Sequence, residues 1–264
     1  MILIFGASGL MGTAITKTLD GRGLKYKALS HKDVDITKYR KVENIIGRLK
    51  PEYVINCAGI VGSSCENKKK STIKVNAEAV LNLSNLCRKH NSTLIHLSTM
   101  GVYDKCIFYE EDVNPNASTL YGSTKLLGER YIINNCHKYY IIRLPMIFSR
   151  TSQGGTLNNI FKKLKNNETI YGTTNAVYRF GHSEDMANAL IDISIVDNYS
   201  YGIYHIYNEG YDNIYSLLLY TKKIIRSNSE IIPQRMDKKV MLCTFTWKYK
   251  TLRHYKKALR DING

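Results

Sequence analysis

No apolar run in this chain of 264 residues approaches the ~20 residues needed to span a bilayer, so a membrane protein is not expected. The opening Met1-Ile-Leu-Ile-Phe5 run is too short for a signal peptide and lacks a basic leader, which points to a cytoplasmic protein. The six cysteines (Cys57, Cys65, Cys87, Cys106, Cys136 and Cys243) include no Cys-x-x-Cys pair. Neither a metal site nor a redox couple is expected, and reduced thiols are the simpler reading. No internal repeat or low-complexity linker breaks the chain. Acidic residues are scarce, 22 against 38 basic ones, giving a formal charge of +16. That excess is spread along the chain and grows towards the end, where Lys248, Lys250, Arg253, Lys256, Lys257 and Arg260 read as a solvated helix face. Nucleic acid is not an expected partner, whereas an anionic small substrate fits the charge.

A hydrophobic content of 44% suffices for a sizeable core, and the length suits one large α/β domain with a smaller lobe. Ile2–Phe5 is wholly apolar, as in a strand buried on both faces of a parallel sheet. Gly6-Ala-Ser-Gly9-Leu-Met-Gly12 follows, then a helix over Thr13–Leu19. Strand, glycine turn and helix form the first half of a dinucleotide-binding unit, with a pyrophosphate on the helix N-terminus. The second strand, Tyr26–Leu29, ends on Ser30-His31-Lys32. An acid there would bind a ribose hydroxyl; these residues suit a 2′-phosphate better, favouring NADPH over NADH. A helix is expected over Thr37–Leu49, closed by Pro51. Tyr53-Val-Ile-Asn-Cys57-Ala58-Gly59 reads as a third strand running into a small-residue turn that lets a flat ligand pass.

Lys68-Lys69-Lys70 reads as a solvated loop, Ile73–Lys89 as the third helix, and Leu94–Leu97 as a fourth strand ending on Ser98-Thr99. The fifth strand, Tyr139–Leu144, stops at Pro145. These alternations predict one parallel sheet with right-handed crossovers, a Rossmann-like doubly wound fold over residues 1–145. Residues 146–264 are expected to form a smaller substrate lobe, parts of which interleave with the first domain. Its pieces are helices over Thr156–Lys165, Ser183–Ile195, Ile214–Arg226 and Leu252–Ile262, and strands over Thr169–Tyr171 and Gly202–Tyr207.

One helix, running from near Tyr121 to Asn135, carries Tyr121-Gly-Ser-Thr-Lys125. Residues four apart share a helix face, and an ammonium beside a phenol favours the phenolate, bringing a group that ionises near pH ~10 towards the working range. In a Tyr- and Lys-rich chain such a pair is weak evidence alone; its position after the fourth strand gives it weight.

Gly6-x-x-Gly9-x-x-Gly12, Asn56-Cys-Ala-Gly59, Thr99 and Tyr121-x-x-x-Lys125 resemble, in order and spacing, the extended short-chain dehydrogenases/reductases. Leu97-Ser-Thr99 with Val102-Tyr103, Glu110–Pro115 and Tyr121-Gly-Ser-Thr-Lys-Leu-Leu-Gly-Glu129 look most like the dTDP-4-dehydrorhamnose reductases, and the likeness covers essentially the whole chain. The resemblance implies NADPH, with NADH as the alternative, held by Gly6, Ser8, Gly9, Leu10, Met11, Gly12, Ser30, His31, Lys32, Asp35, Ile36, Cys57, Ala58, Gly59, Tyr121 and Lys125. It implies Tyr121 as general acid, Thr99 bonding the same ketone oxygen, and Lys125 holding the nicotinamide ribose and lowering the tyrosine pKa. Met100 and Arg179 are the further substrate residues, Arg179 lying where relatives place a basic group near a nucleotide-sugar diphosphate. Met100-Gly101 replaces the acidic pair of 4,6-dehydratases, which excludes their proton exchange, and also the Asp-aromatic pair usual in rhamnose reductases, which leaves the sugar open. The implied activity is reduction of a nucleotide-linked 4-keto-6-deoxy sugar. An epimerase or epimerase-reductase, and a non-catalytic cofactor-binding regulatory subunit, are the alternatives. Related enzymes often dimerise, and a homodimer is left open.

Overall fold

The computed structural model describes residues 1–62, 64–103, 113–150, 154–236, 240–241 and 252–263. Asp104, Tyr109–Asp112, Cys106, Cys243, Lys248 and Lys250 lie outside the described residues. Two compact units result. One holds the chain through Tyr103 with Asn114–Arg143 and Ala187–Tyr204; the other holds Leu144–Met186 and the described residues from His205 onward.

The first unit begins with β1 (Ile2–Phe5), α1 (Leu10–Gly21), β2 (Tyr26–Leu29), α2 (Tyr39–Leu49) and β3 (Tyr53–Asn56). Two short helices, α3 (Ser64–Asn67) and α4 (Lys69–Ile73), lead through a wide π turn at Lys74–Glu78 into α5 (Ala79–Lys89). Then come β4 (Thr93–Thr99), a 3₁₀ turn at Met100–Val102, α6 (Leu120–Asn135) and β5 (Tyr139–Leu144). Lys68–Lys70, expected as a loop, are exposed but sit at the start of α4, since the helix that carries Ile73 begins earlier than its apolar stripe.

The strands order as β2-β1-β3-β4-β5, with Gly202–His205 as the sixth. The registers of β1 with β2, β1 with β3, and β3 with β4 are parallel. This is the doubly wound parallel sheet expected of a Rossmann-like α/β fold. All four residues of β1 and all seven of β4 are buried, because helices cover both faces. Leu3, Phe5, Val54, Leu94 and Ile141 pack with Val42 and Ile46 of α2, Leu83 and Leu86 of α5, and Ile132 of α6. Each such side chain contributes about 1.5–3 kcal/mol. Helix α2 ends where Lys50 turns left-handed (φ 44°) before Pro51.

The second unit contains β6 (Met146–Phe148), α7 (Thr156–Lys165), β7 (Ile170–Thr173), β8 (Ala176–His182) and the start of α8 (Ser183–Ile191). After β9 (Gly202–His205) come β10 (Asn208–Glu209), β11 (Tyr211–Asn213), α9 (Ile214–Ile225), β12 (Ile231–Gln234), β13 (Val240–Met241), β14 (Leu252–His254) and α10 (Tyr255–Leu259). Strand β8 pairs with β6, β11 and β13, and its Phe180 packs with Phe148, Phe161, Leu217 and Tyr255. Asp185 ties this unit internally, accepting from Arg253 Nε and Asn208 Nδ2, both at 2.7 Å.

Three expectations change. The strand at Gly202 ends at His205 and completes the large sheet, so Ala187–Tyr204 returns to the first unit. The helix at Ser183 yields after Ile191 to a π turn over Asp192–Val196. Leu252–His254 is a strand paired with Asn208–Glu209, and helix begins only at Tyr255, capped by His254 Nδ1 on Lys256 N. Strands β6, β8, β10, β11, β12 and β13 have no counterpart in the expected elements.

Candidate active site

Strand order reverses between β1 and β3, so a crevice opens at the C-terminal ends of those strands. The Gly6 backbone has φ 76°, and a Cβ there would lie 2.6 Å from Ala58 N. Only glycine lets the first turn pass so close to the Cys57-Ala58 backbone. A Cβ on Gly12 would sit 2.4 Å from Gly6 O, so the third glycine seats α1 against the turn. Gly9 is different: a Cβ there meets only Gly6 O, at 3.4 Å. It stands at the N-cap of α1 with no side-chain cap, and Ser8 and Gly9 are exposed, while Leu10 is half-buried and Met11 buried. First-turn N–H groups without a side-chain acceptor, at the positive end of a twelve-residue helix, fit a pyrophosphate.

At the end of β2, His31 and Lys32 are exposed. Asp33 folds back so that its carboxylate accepts from Ser30 N (2.7 Å) and Ser30 Oγ (2.6 Å), and these bonds hold its pKa below the usual range. Asp35 accepts from Thr37 N and Oγ1, at 2.9 and 2.8 Å, and Ile36 is buried. Cys57 and Ala58 are partly buried and Gly59 exposed; burial pushes the Cys57 thiol up to about 12, so it stays protonated.

Helix α6 is joined to four consecutive residues of β4. Thr99 Oγ1 accepts from Gly101 N at 3.0 Å, and the hydroxyl is hydrogen-bonded to Tyr121. Lys125 Nζ donates to Leu97 O at 2.6 Å and meets His96 Nε2 at 3.0 Å. Ser98 bonds to Glu129, which also accepts from Arg143 Nε and, at 2.7 Å, from Arg143 NH2. Arg143 bonds Tyr103 in turn, and its guanidinium lies 5.1 Å over that ring. Thr119 caps the helix, accepting from Gly122 N at 3.0 Å. A Cβ on Gly122 would lie 2.1 Å from Gly101 O, so this glycine lets the start of α6 close on the turn after Thr99. The whole arrangement brings Thr99, Tyr121 and Lys125 together.

The electrostatics differ from the sequence expectation in one respect. Burial pushes the Tyr121 phenol above its ordinary value, and the Thr99 bond only partly opposes this. Lys125, engaged by Leu97 and His96, does not lower it here. Burial also draws Lys125 down to about 8.

Met100 is buried, whereas Gly101 leaves open the space beside Thr99 Oγ1 and Tyr121 Cδ1, 3.3 and 3.9 Å from where its Cβ would be. Arg179 lies on β8 in the second unit. Its guanidinium packs over the rings of Tyr207 (4.6 Å) and Tyr211 (5.3 Å), and NH1 donates to Gly210 O. Sequence reasoning missed Asn76, His96, Glu129 and Arg143. Asn76, on the π turn, grips Ile60 by N and O, both at 2.9 Å, and reaches Thr124 Oγ1 at 3.4 Å. Among these, Glu129 had a signal, standing one further turn along the Tyr121–Lys125 face.

Fold and site together define a short-chain dehydrogenase/reductase of the extended type. The chain belongs to the family described as RmlD substrate binding domain, which matches residues 1–238. It is 31% identical over 218 residues to a dTDP-4-dehydrorhamnose reductase of Aggregatibacter actinomycetemcomitans, covering 79% of this chain and 73% of that one. With the enzyme of the same name from Streptomyces griseus it shares 28% identity over 79% of this chain and 70% of the relative. The fold matches that of dTDP-4-dehydrorhamnose reductase from Bacillus anthracis in complex with NADP, with a TM-score of 0.90, 17% identity and coverage of 99% and 98% of the two chains.

Proposed function

We propose that this chain is an NADPH-dependent reductase of a nucleotide-linked 4-keto-6-deoxy sugar in deoxysugar biosynthesis, with NADH as the alternative donor. The observation that carries this reading is that Thr99 and Tyr121 border the same open space at Gly101, one helical turn from buried Lys125, in a chain whose relatives are named dTDP-4-dehydrorhamnose reductase. Gly6–Gly12 would hold the pyrophosphate and Lys32 a 2′-phosphate, with Cys57–Gly59 flanking the nicotinamide half. When bound, NADPH supplies the hydride that goes to the carbonyl carbon. Tyr121 gives its phenolic proton to the carbonyl oxygen, and Thr99 steadies that oxygen by a hydrogen bond, so the ketone becomes an alcohol as NADPH becomes NADP⁺. Lys125, protonated, would bring the phenol down and hold the ribose. Arg179 is assigned to the diphosphate, for which a guanidinium fork is suited.

Gly101 distinguishes this site from one that exchanges protons at neighbouring sugar carbons: it brings no acid or base beside Thr99 and Tyr121. The test is Tyr121→Phe assayed with dTDP-4-dehydrorhamnose and NADPH. Turnover is expected to fall about 10²–10⁴-fold with NADPH affinity kept. Turnover within threefold of the parent enzyme would remove Tyr121 as the acid.

A further inference from the structure

Beneath Lys125 runs a chain of buried hydrogen bonds that the proposed reaction does not use. Asn56 and His96 are fully buried on adjacent strands β3 and β4 and face each other in register. Ala58 N donates to Asn56 Oδ1 at 3.1 Å. That bond fixes the amide: Oδ1 faces Ala58, so the Nδ2 donor faces His96 Nδ1, 3.1 Å away. An imidazole nitrogen that accepts leaves its hydrogen on the other one, so Nε2 carries the N–H. Nε2 in turn lies 3.0 Å from Lys125 Nζ. An ammonium has three donors and no acceptor, and a second donor would face it without a lone pair between them. A neutral amine has that lone pair, and can still donate to Leu97 O at 2.6 Å.

We infer that His96, held in its Nε2–H tautomer by Asn56, is a positioning residue that favours the neutral-amine form of Lys125 docked on β4, the form that prevails in alkaline solution, and that this form takes up one proton on passing to the cationic form the reaction uses. This rests on the reading of Lys125 given under the proposed function.

The surroundings of Lys125 agree with it. From β4 it faces His96 and the Leu97 carbonyl. From the turn after β3 it faces the Cys57 thiol, which is neutral because burial holds its pKa near 12. Along α6 it faces Glu129, whose charge is already met by Arg143 and Ser98. Among the described residues Glu129 is the anion that favours a proton on Nζ, and burial outweighs it. Burial draws Lys125 down to about 8, and burial, its largest cause, holds His96 well below its usual range, so the imidazole stays uncharged.

Two measurements on the unaltered protein decide the matter. Long-range ¹H–¹⁵N correlation of the His96 ring reads the tautomer directly and should show Nε2–H, unchanged from about pH 6 to 9. The ¹³Cε resonance of Lys125, identified by its loss in Lys125→Arg, should titrate near pH 8. A hydrogen on Nδ1, or a Lys125 midpoint at the ordinary lysine value of about 10.4, would overturn the proposal. In His96→Gln the side-chain carbonyl can accept from an ammonium, so the Lys125 midpoint should rise at least tenfold in proton affinity; an unmoved midpoint contradicts the role of His96.

Calorimetry of NADPH binding near pH ~9, above the titration of the 2′-phosphate, in buffers of different ionisation enthalpy should show most of one proton taken up. His96→Gln should take up distinctly less. Binding without proton uptake would contradict the linkage. Failure of NADPH to bind would remove the cofactor reading, while tautomer and titration would still decide the claim about His96.

Discussion

Gly9 and Gly12 belong to one motif yet do different physical work. A methyl group on Gly12 would have to occupy space within 2.4 Å of Gly6 O and 2.7 Å of Ala7, all main chain, which cannot yield cheaply. On Gly9 it would make only a 3.4 Å contact, at a backbone φ of −75° that any residue tolerates. Gly12→Ala should therefore lower stability to urea by about 1–3 kcal/mol. Gly9→Ala should leave stability within about 0.5 kcal/mol yet, under the proposed function, weaken NADPH at least tenfold, because its methyl would stand where the pyrophosphate is proposed to approach. Equal loss of stability in both variants would contradict this division, and undiminished NADPH binding by Gly9→Ala would remove the pyrophosphate from this turn. Sequence alone shows the three glycines but not which one packs and which one binds.

At the scale of elements, α6 on β4 carries the proposed reaction. Each residue from His96 to Thr99 meets the helix, and the helix answers at Tyr121, Lys125 and Glu129, positions four apart on one face. Glu129 and Arg143 are both 1% exposed, so neither can recover its partner from water. Glu129→Gln removes the carboxylate that the Arg143 guanidinium meets and should cost about 3–5 kcal/mol, read by urea unfolding. A loss below about 1 kcal/mol would mean that the helix is held by apolar packing instead.

The Tyr121–Lys125 spacing was legible because it lies within one helix. His96 and Arg143 were not, because a buried polar residue on an apolar strand declares its purpose only through partners 14 to 40 positions away. The strand Ile2–Phe5 is legible to the residue because burial on both faces leaves an unbroken apolar run, and Tyr139–Leu144 is legible too, although Arg143 interrupts it. Strand β8 escaped because Tyr178 and Arg179 interrupt its apolar pattern, and Leu252–His254 because its strand character comes from pairing with Asn208.

Across the whole molecule, the chain does not change units once at Pro145. It leaves the first at Leu144 and returns for Ala187–Tyr204, whose strand β9 completes the six-stranded sheet. The alternation of strands and helices before residue 145 predicts the first unit well. Interleaving of the later chain with the first unit is expected from the sequence, but not which segment returns, because Gly202–His205 carries no mark of which sheet it will join. The glycine turn, Thr99, Tyr121 and Lys125 lie in the first unit and Arg179 in the second. The central claim is reduction of a nucleotide-linked keto sugar.

It is tested most directly by incubating the protein with NADPH and, in turn, dTDP-, GDP- and UDP-linked 4-keto-6-deoxyhexoses, following nicotinamide absorbance and identifying the sugar formed. The account predicts that NADPH is oxidised in equal measure to a 4-hydroxy product on at least one of these substrates. Epimerised sugar with NADPH unconsumed, or no change of absorbance across the whole panel, would contradict it.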